Sequence, residues 1–270
     1  MNTWRVYIDP PLDGALNMAR DEAILNAVSA GAQPPTLRLY AWSPPCLSLG
    51  YGQRVRDVDR TCLADRGWTL VRRPTGGRAI LHADELTYSL ALPIDHELAR
   101  GTILESYQRI SVGLLAALHQ LGAKAQIESG ESRAPNANPV CFETTSAYEI
   151  AVDRRKLVGS AQLRRERAIL QHGSLPLTGD LARIGDVLAY PDEEARAAAK
   201  KALHARALTL QTALDGEQVT WEHAAHAMRE GFRQTFVLSW DERGLSEAEL
   251  DDAAALTREK YAAPAWTDKR

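Results

Sequence analysis

The sequence predicts an α+β protein with a mixed, largely antiparallel sheet packed with helices. Three observations point there. Strand-like segments in the first part of the chain mostly follow one another without a helix between each pair, which argues against a doubly wound parallel sheet. The stretch "AYEIAVDRRKLVGSAQLRRERAILQHGSLPL" reads as three strand-like pieces separated by "DRR" and "RRER", the pattern of an antiparallel meander. From about Gly179 the character changes to alanine-rich helical segments. The chain has 270 residues, 45% hydrophobic and 25% charged, enough for one large core.

Taken in order, "TWRVYID" is a short strand, and "DGALNMARDEAILNAVSAG" is an amphipathic helix with Leu16, Ala19, Ala23, Ile24, Ala27 and Val28 at helical spacing. "PTLRLYAWSPPCLSLGYGQ" offers two strands broken by Pro44 and Pro45, with Cys46 opening the second in a structural role. "DVDRTCLADRG" fits a short helix ended by Gly67, "WTLVRR" a strand and "PTGGR" a turn. "LTYSLALP" alternates Leu86, Tyr88, Leu90 and Leu92 with smaller or polar residues, as a half-buried strand does. "ILESYQRISVGLLAALHQLG" is the longest helix; it carries Ile103, Tyr107, Ile110, Leu114 and Leu118 on one stripe, closes at Gly122 and is expected to cover the sheet. Of the late helices, the last opens on a capping box from Ser246 to Glu249.

The formal charge of -3 supplies no global field for nucleic acid or an anionic membrane. Three cysteines without C-x-x-C spacing suit a reducing compartment and offer no zinc site. No apolar run approaches a membrane span and the amino terminus has no signal pattern, so a cytoplasmic location is expected.

Several places can carry chemistry. "VRRPTGGRAILHADE" sets Arg72 and Arg73 and the Gly76–Gly77 pair between two strands, with His82 beyond. A hairpin wants such glycines, and so does a backbone that must approach an anion or acyl carbonyl closely; both readings stand on residue type alone. The loop "SRAPNANPVCFET" delivers Cys141, which is either a small hydrophobe or a nucleophile. Lys156 follows fifteen residues later, just before Gly159, Ser160 and Ala161, whose small size leaves a strand surface open. An ammonium beside Cys141 favours the thiolate, which matters because a free thiol, with a pKa near about 8.5, is only a few per cent ionised at neutral pH. His172 in "LQHGS" reads as a base, a ligand or a core histidine, and with His82 makes too few imidazoles for a catalytic zinc site.

In this order, "RRPTGGRAILH", "PVCFE", "RKLVGSAQ" and "LQHGS" resemble the lipoate and octanoate transferase family, which includes lipoate-protein ligases and shares a fold with biotin protein ligases. The resemblance runs from "LSLGYGQ" to "KYAAPAW" and is nearest to the cysteine-dependent octanoyltransferases. It implies one catalytic domain over residues 1–270 with a helix-rich portion from about 180, and a tunnel for a medium-length acyl chain. It also implies octanoyl transfer from acyl carrier protein to a lysine of a lipoyl domain, such as that of a glycine cleavage H protein or a 2-oxoacid dehydrogenase E2. Cys141 would be the nucleophile, Lys156 its partner, and Arg72, Gly76, Gly77, His82, Gly159, Ser160, Ala161, His172 and Gly173 the substrate-binding residues, with no cofactor and no metal. ATP-dependent ligases of the family usually carry three consecutive glycines in the loop and an accessory C-terminal domain; here the third position is Arg78 and the chain stops soon after "KYAAPAW". The alternatives are such a ligase, an enzyme moving octanoyl between two lipoyl domains, and an inert acyl-binding module.

Overall fold

The computed structural model describes residues 2–128 and 149–270. Their strands are β1 (Asn2–Ile8), β2 (Thr36–Tyr40), β3 (Cys46–Leu49), β4 (Thr69–Arg72), β5 (Ile80–His82), β6 (Glu85–Pro93), β7 (Gln126–Glu128), β8 (Glu149–Val152), β9 (Arg155–Arg164), β10 (Ala168–Pro176) and β11 (Leu238–Asp241). The helices are α1 (Gly14–Ser29), α2 (Arg60–Asp65), α3 (Ile103–Gln120), α4 (Glu193–Arg206), α5 (Leu210–Ala213), α6 (Trp221–Phe236), α7 (Glu247–Leu256) and α8 (Pro264–Thr267). Eight strands form one sheet in the order β11-β1-β2-β6-β10-β9-β8-β7. The pairs of β1 with β2 and with β11 are parallel and the rest antiparallel, so the molecule is α+β with a mixed sheet.

Strand β6 is buried along both faces, not one as its alternation suggests. Leu86, Tyr88, Leu90 and Leu92 join the main core with Ile110, Leu114 and Leu118 of α3 and Phe232 of α6. The small residues between them face the other way, where Ala91 packs on Ile24, Leu25 and Val28 of α1. Alternation here separates large from small side chains, because α1 lies close over its face. The first and last strands meet on the sheet: β11, a strand of four residues within the helical tail, pairs with β1 as an edge. The expected capping box on α7 is present, and its Glu249 also takes a buried hydrogen bond of 2.7 Å from Arg5 of β1.

A second sheet has three strands in the order β4-β3-β5. The turn carrying Gly76 and Gly77 therefore does not close a hairpin. It joins two strands that flank β3, one parallel to it and one antiparallel. A loop crossing the end of a strand is free to face a ligand, whereas a tight hairpin turn is consumed by its own ladder.

Candidate active site

Ser48 of β3 and Ile80 and His82 of β5 come from the small sheet, while Gly159, Ser160, Ala161, His172 and Gly173 come from the neighbouring strands β9 and β10 of the large one. With Met18 of α1, Tyr40, Trp42 and Arg73 they enclose a narrow slot with about 20 Å³ of open space. Ser160 and Ala161 also line an outer groove of about 360 Å³, together with Gly76, Gly77, Ile103, Leu104, Tyr107 and Gln162. Two residues of one strand thus form a wall common to slot and groove. Gly173 pairs with Ser160 across the ladder, and its missing side chain is required: a Cβ there would lie 2.6 Å from Ser160 Oγ and 2.7 Å from the Gly159 carbonyl oxygen.

The glycine loop is held from within by Arg73. Its guanidinium donates to the carbonyls of Gly76 at 2.8 Å and Arg78 at 2.7 Å, and to Ser48 Oγ at 3.1 Å. Gly77 has φ +88°, and a Cβ there would sit 2.8 Å from the same guanidinium. The carbonyl oxygen of Gly77 in turn approaches Gly50 so closely that a Cβ on Gly50 would meet it at 2.0 Å.

His82 and His172 are buried at the slot, each fixed through both ring nitrogens. His82 is bonded to Ser48 Oγ at 2.8 Å and Glu85 Oε1 at 2.9 Å, and stacks on Trp42 with centroids 3.9 Å apart. His172 is bonded to Thr75 Oγ1 at 2.6 Å and Asp21 Oδ2 at 3.2 Å. Burial pushes His172 below its ordinary pKa, and the Asp21 hydrogen bond opposes this without cancelling it, so the ring is neutral at pH 7. A neutral ring donates to the carboxylate through Nδ1–H and accepts the Thr75 hydroxyl proton at Nε2. Burial raises the Asp21 carboxyl, but the Arg38 guanidinium and the His172 bond outweigh it and hold it below the usual carboxylate range. Arg38, fully buried, bonds Asp21 at 2.7 Å, Asp9 at 2.8 Å and Asn17 Oδ1 at 2.7 Å. This polar layer beneath the slot is closed on itself, as buried charge must be.

Of the residues singled out in the sequence, Arg72 stands apart. The last residue of β4, it turns away from the slot and donates to the backbone carbonyls of Gly50, Gln53 and Thr267, while its neighbour Arg73 lines the slot. Lys156 on β9 is buried, its ammonium 2.6 Å from Glu149 Oε1 on the paired strand β8. Cys141 lies outside the described residues. The other two thiols are poorly suited to nucleophilic work: burial pushes Cys46 up to about 12, and Cys62 is raised chiefly by its hydrogen bond to Asp59. Among the described residues no group of three or more His, Cys, Asp or Glu is arranged to hold a metal, and no helix is long and apolar enough to cross a membrane.

Sequence reasoning passed over Met18, Asp21, Arg38, Thr75 and Trp42. A signal for two of them existed. Asn17 and Asp21 fall on the same helical stripe as Ile24 and Val28, and Arg38 sits inside the apolar run "TLRLY", both marks of buried polar groups with partners.

The small-walled slot, the glycine loop beside it and every strand of the mixed sheet but β1 and β11 lie within residues 13–233, the stretch that the family model of the lipoyl protein ligase A/B catalytic domain matches; the chain belongs to this family. Over its whole length it is similar to the octanoyltransferases LipM of Kyrpidia tusciae, 40% identical with all of both chains covered, and of Moorella thermoacetica, 41% identical with 99% of this chain and 98% of that one covered. The fold is that of a bipartite lipoate protein ligase from Thermoplasma acidophilum, solved in a study with its E2 lipoyl domain, at a TM-score of 0.83, 24% identity and coverage of 99% and 97%. A lipoate-protein ligase A bound with ATP superposes at a TM-score of 0.80 with 23% identity and 98% of each chain covered.

Proposed function

We propose that this chain is a cytoplasmic octanoyltransferase of protein lipoylation, residues 1–270 working as one catalytic domain. It would take octanoyl from octanoyl-acyl carrier protein, hold it on Cys141 as a thioester, and deliver it to a lysine of a lipoyl domain. The observation that carries the reading is an apolar slot walled by Gly159, Ser160, Ala161 and Gly173, in a chain similar along its full length to octanoyltransferases. The open space in the slot suffices for about one water. An alkyl chain therefore enters as side chains part, and unbranched Met18 is the lining residue best able to move.

In the first step the Cys141 thiolate attacks the thioester carbonyl, and the tetrahedral intermediate expels the carrier's thiolate, which takes up a proton. In the second step the acceptor lysine, as free amine, attacks the acyl-Cys141 carbonyl; an amide forms, the Cys141 thiolate leaves, and the amine loses one proton. Thioester exchange is near balance and amide formation runs downhill, so neither step needs ATP. Lys156 would favour the thiolate and the developing oxyanion electrostatically. Its buried pairing with Glu149 supplies a fixed ammonium near the start of the Gly159–Ala161 wall.

The test is intact-protein mass spectrometry after mixing the enzyme with octanoyl-carrier protein, then apo lipoyl domain, without ATP. The expected result is an octanoyl adduct on the enzyme that passes to the acceptor, and no adduct or transfer with Cys141→Ala. Normal transfer by that variant, or an absolute need for ATP and free octanoate, would overturn the proposal.

A further inference from the structure

We propose that the Ser160 hydroxyl is a hydrogen-bond donor to the reacting acyl carbonyl, aimed by a one-way chain of side-chain donors; the inference rests on the reading of the slot as an octanoyl site. Among the described residues, Ser160 and Ala161 are the two that line both the slot and the outer groove, and of these Ser160 has the polar side chain. An acyl chain lodged in the slot, with its carrier held outside along the groove, passes this wall. The thioester joins tail to carrier, so it lies at Ser160.

The direction of the chain follows from Arg164, whose guanidinium can only donate. Its Nη1 donates to Gln162 Oε1 at 3.4 Å. Gln162 Nε2 then donates to Gln171 Oε1 at 3.0 Å, and Gln171 Nε2 donates to the Tyr88 hydroxyl oxygen at 2.9 Å. Turning both amides over would set an NH2 group against the guanidinium, donor against donor. Burial pushes the Tyr88 phenol above its ordinary pKa, so it keeps its one hydroxyl hydrogen, which it donates to Ser160 Oγ at 2.7 Å. Tyr88, Gly173 and Ser160 lie abreast on β6, β10 and β9, and the bare middle position lets the phenol reach across: a Cβ on Gly173 would lie 2.6 Å from the Tyr88 ring. Ser160 accepts from Tyr88 and retains its own hydrogen, for which the described residues offer no acceptor. The half-buried hydroxyl is thus set to give and not to take. As a thiolate, and later an amine, adds to the carbonyl carbon, charge gathers on the carbonyl oxygen and this bond strengthens.

The experiment measures kcat and KM for transfer from octanoyl-carrier protein to an apo lipoyl domain, without ATP, in the wild type and in variants at Ser160. Ser160→Ala keeps the wall small and removes the hydroxyl; kcat is expected to fall by about a hundredfold with KM little changed, as for loss of one oxyanion donor. Ser160→Thr, which keeps a hydroxyl, retains most of the rate. The alanine variant strands the Tyr88 phenol, so Tyr88→Phe is combined with Ser160→Ala to guard against a fold lost for that reason; the double variant is expected to match the single one. Infrared spectra of enzyme loaded with carbonyl-labelled octanoyl supply a second readout: the thioester stretch should move to higher frequency in Ser160→Ala, a shift that a purely structural role would not produce. A wild-type kcat in either alanine variant, or a raised KM with kcat unchanged, overturns the assignment of Ser160 and leaves the function standing. Absence of octanoyl transfer by the wild type overturns the function, and the donor with it.

Discussion

At the scale of single residues, His172 shows how burial and charge divide the work. Its folded pKa lies below the ordinary value, so between that value and about 6.5 the unfolded chain binds a proton that the folded one does not. Stability must fall as pH drops through that window. His96, also lowered by burial, acts in the same direction. Denaturant titrations at pH 7 and pH 5 should show the loss in the wild type, and His172→Gln should reduce its slope without abolishing it; an identical slope would remove His172 from the account. Asp21, held below the carboxylate range, adds stability that is present above the ordinary carboxyl pKa and is lost only as pH falls through its lower folded value. Legibility at this scale was uneven. Residues whose size carries the message, such as Gly159 and Ala161, were readable because a bare strand surface shows in the letters. Arg72 and Arg73 were not separable, since which of two adjacent arginines faces the slot depends on where β4 ends.

At the scale of elements, the glycine loop discriminates between positions that look alike in sequence. A Cβ on Gly76 would meet nothing within 4 Å. On Gly77 it would need a left-handed backbone and would press on Arg73, and on Gly173 it would press on backbone and ring atoms that have no room to move. Thermal or urea denaturation should therefore find Gly76→Ala within about 0.5 kcal/mol of wild type, and Gly77→Ala and Gly173→Ala destabilised by about 1–3 kcal/mol. Equal costs at all three would refute the picture of the loop. The helices and the β8–β10 meander were legible because their periodicity and turns are local. What escaped was pairing: that β3 inserts between β4 and β5, and that the short run at Leu238–Asp241 completes the large sheet, are settled by contacts between residues far apart in the chain.

At the scale of the whole molecule, the C-terminal residues belong to the framework of the site. Arg72 gathers the Gly50, Gln53 and Thr267 carbonyls around one guanidinium, Trp266 Nε1 bonds the Arg72 carbonyl at 2.8 Å, and Val55 N bonds the Arg270 carbonyl at 2.8 Å. Arg72→Ala strands several buried acceptors at once, so a loss of about 2–4 kcal/mol in urea unfolding is expected. Deleting residues 264–270 should weaken octanoyl transfer as well, because Arg72, which holds the carbonyl of Gly50 against which Gly77 rests, loses its Thr267 and Trp266 partners; full activity after the deletion would refute this coupling. There is a practical corollary for anyone immobilising or labelling the enzyme. An extension attached at Arg270 pulls, through Val55 and the ring of carbonyls around Arg72, on the seat of the glycine loop. A handle placed ahead of Asn2, at the exposed start of β1, leaves that seat undisturbed.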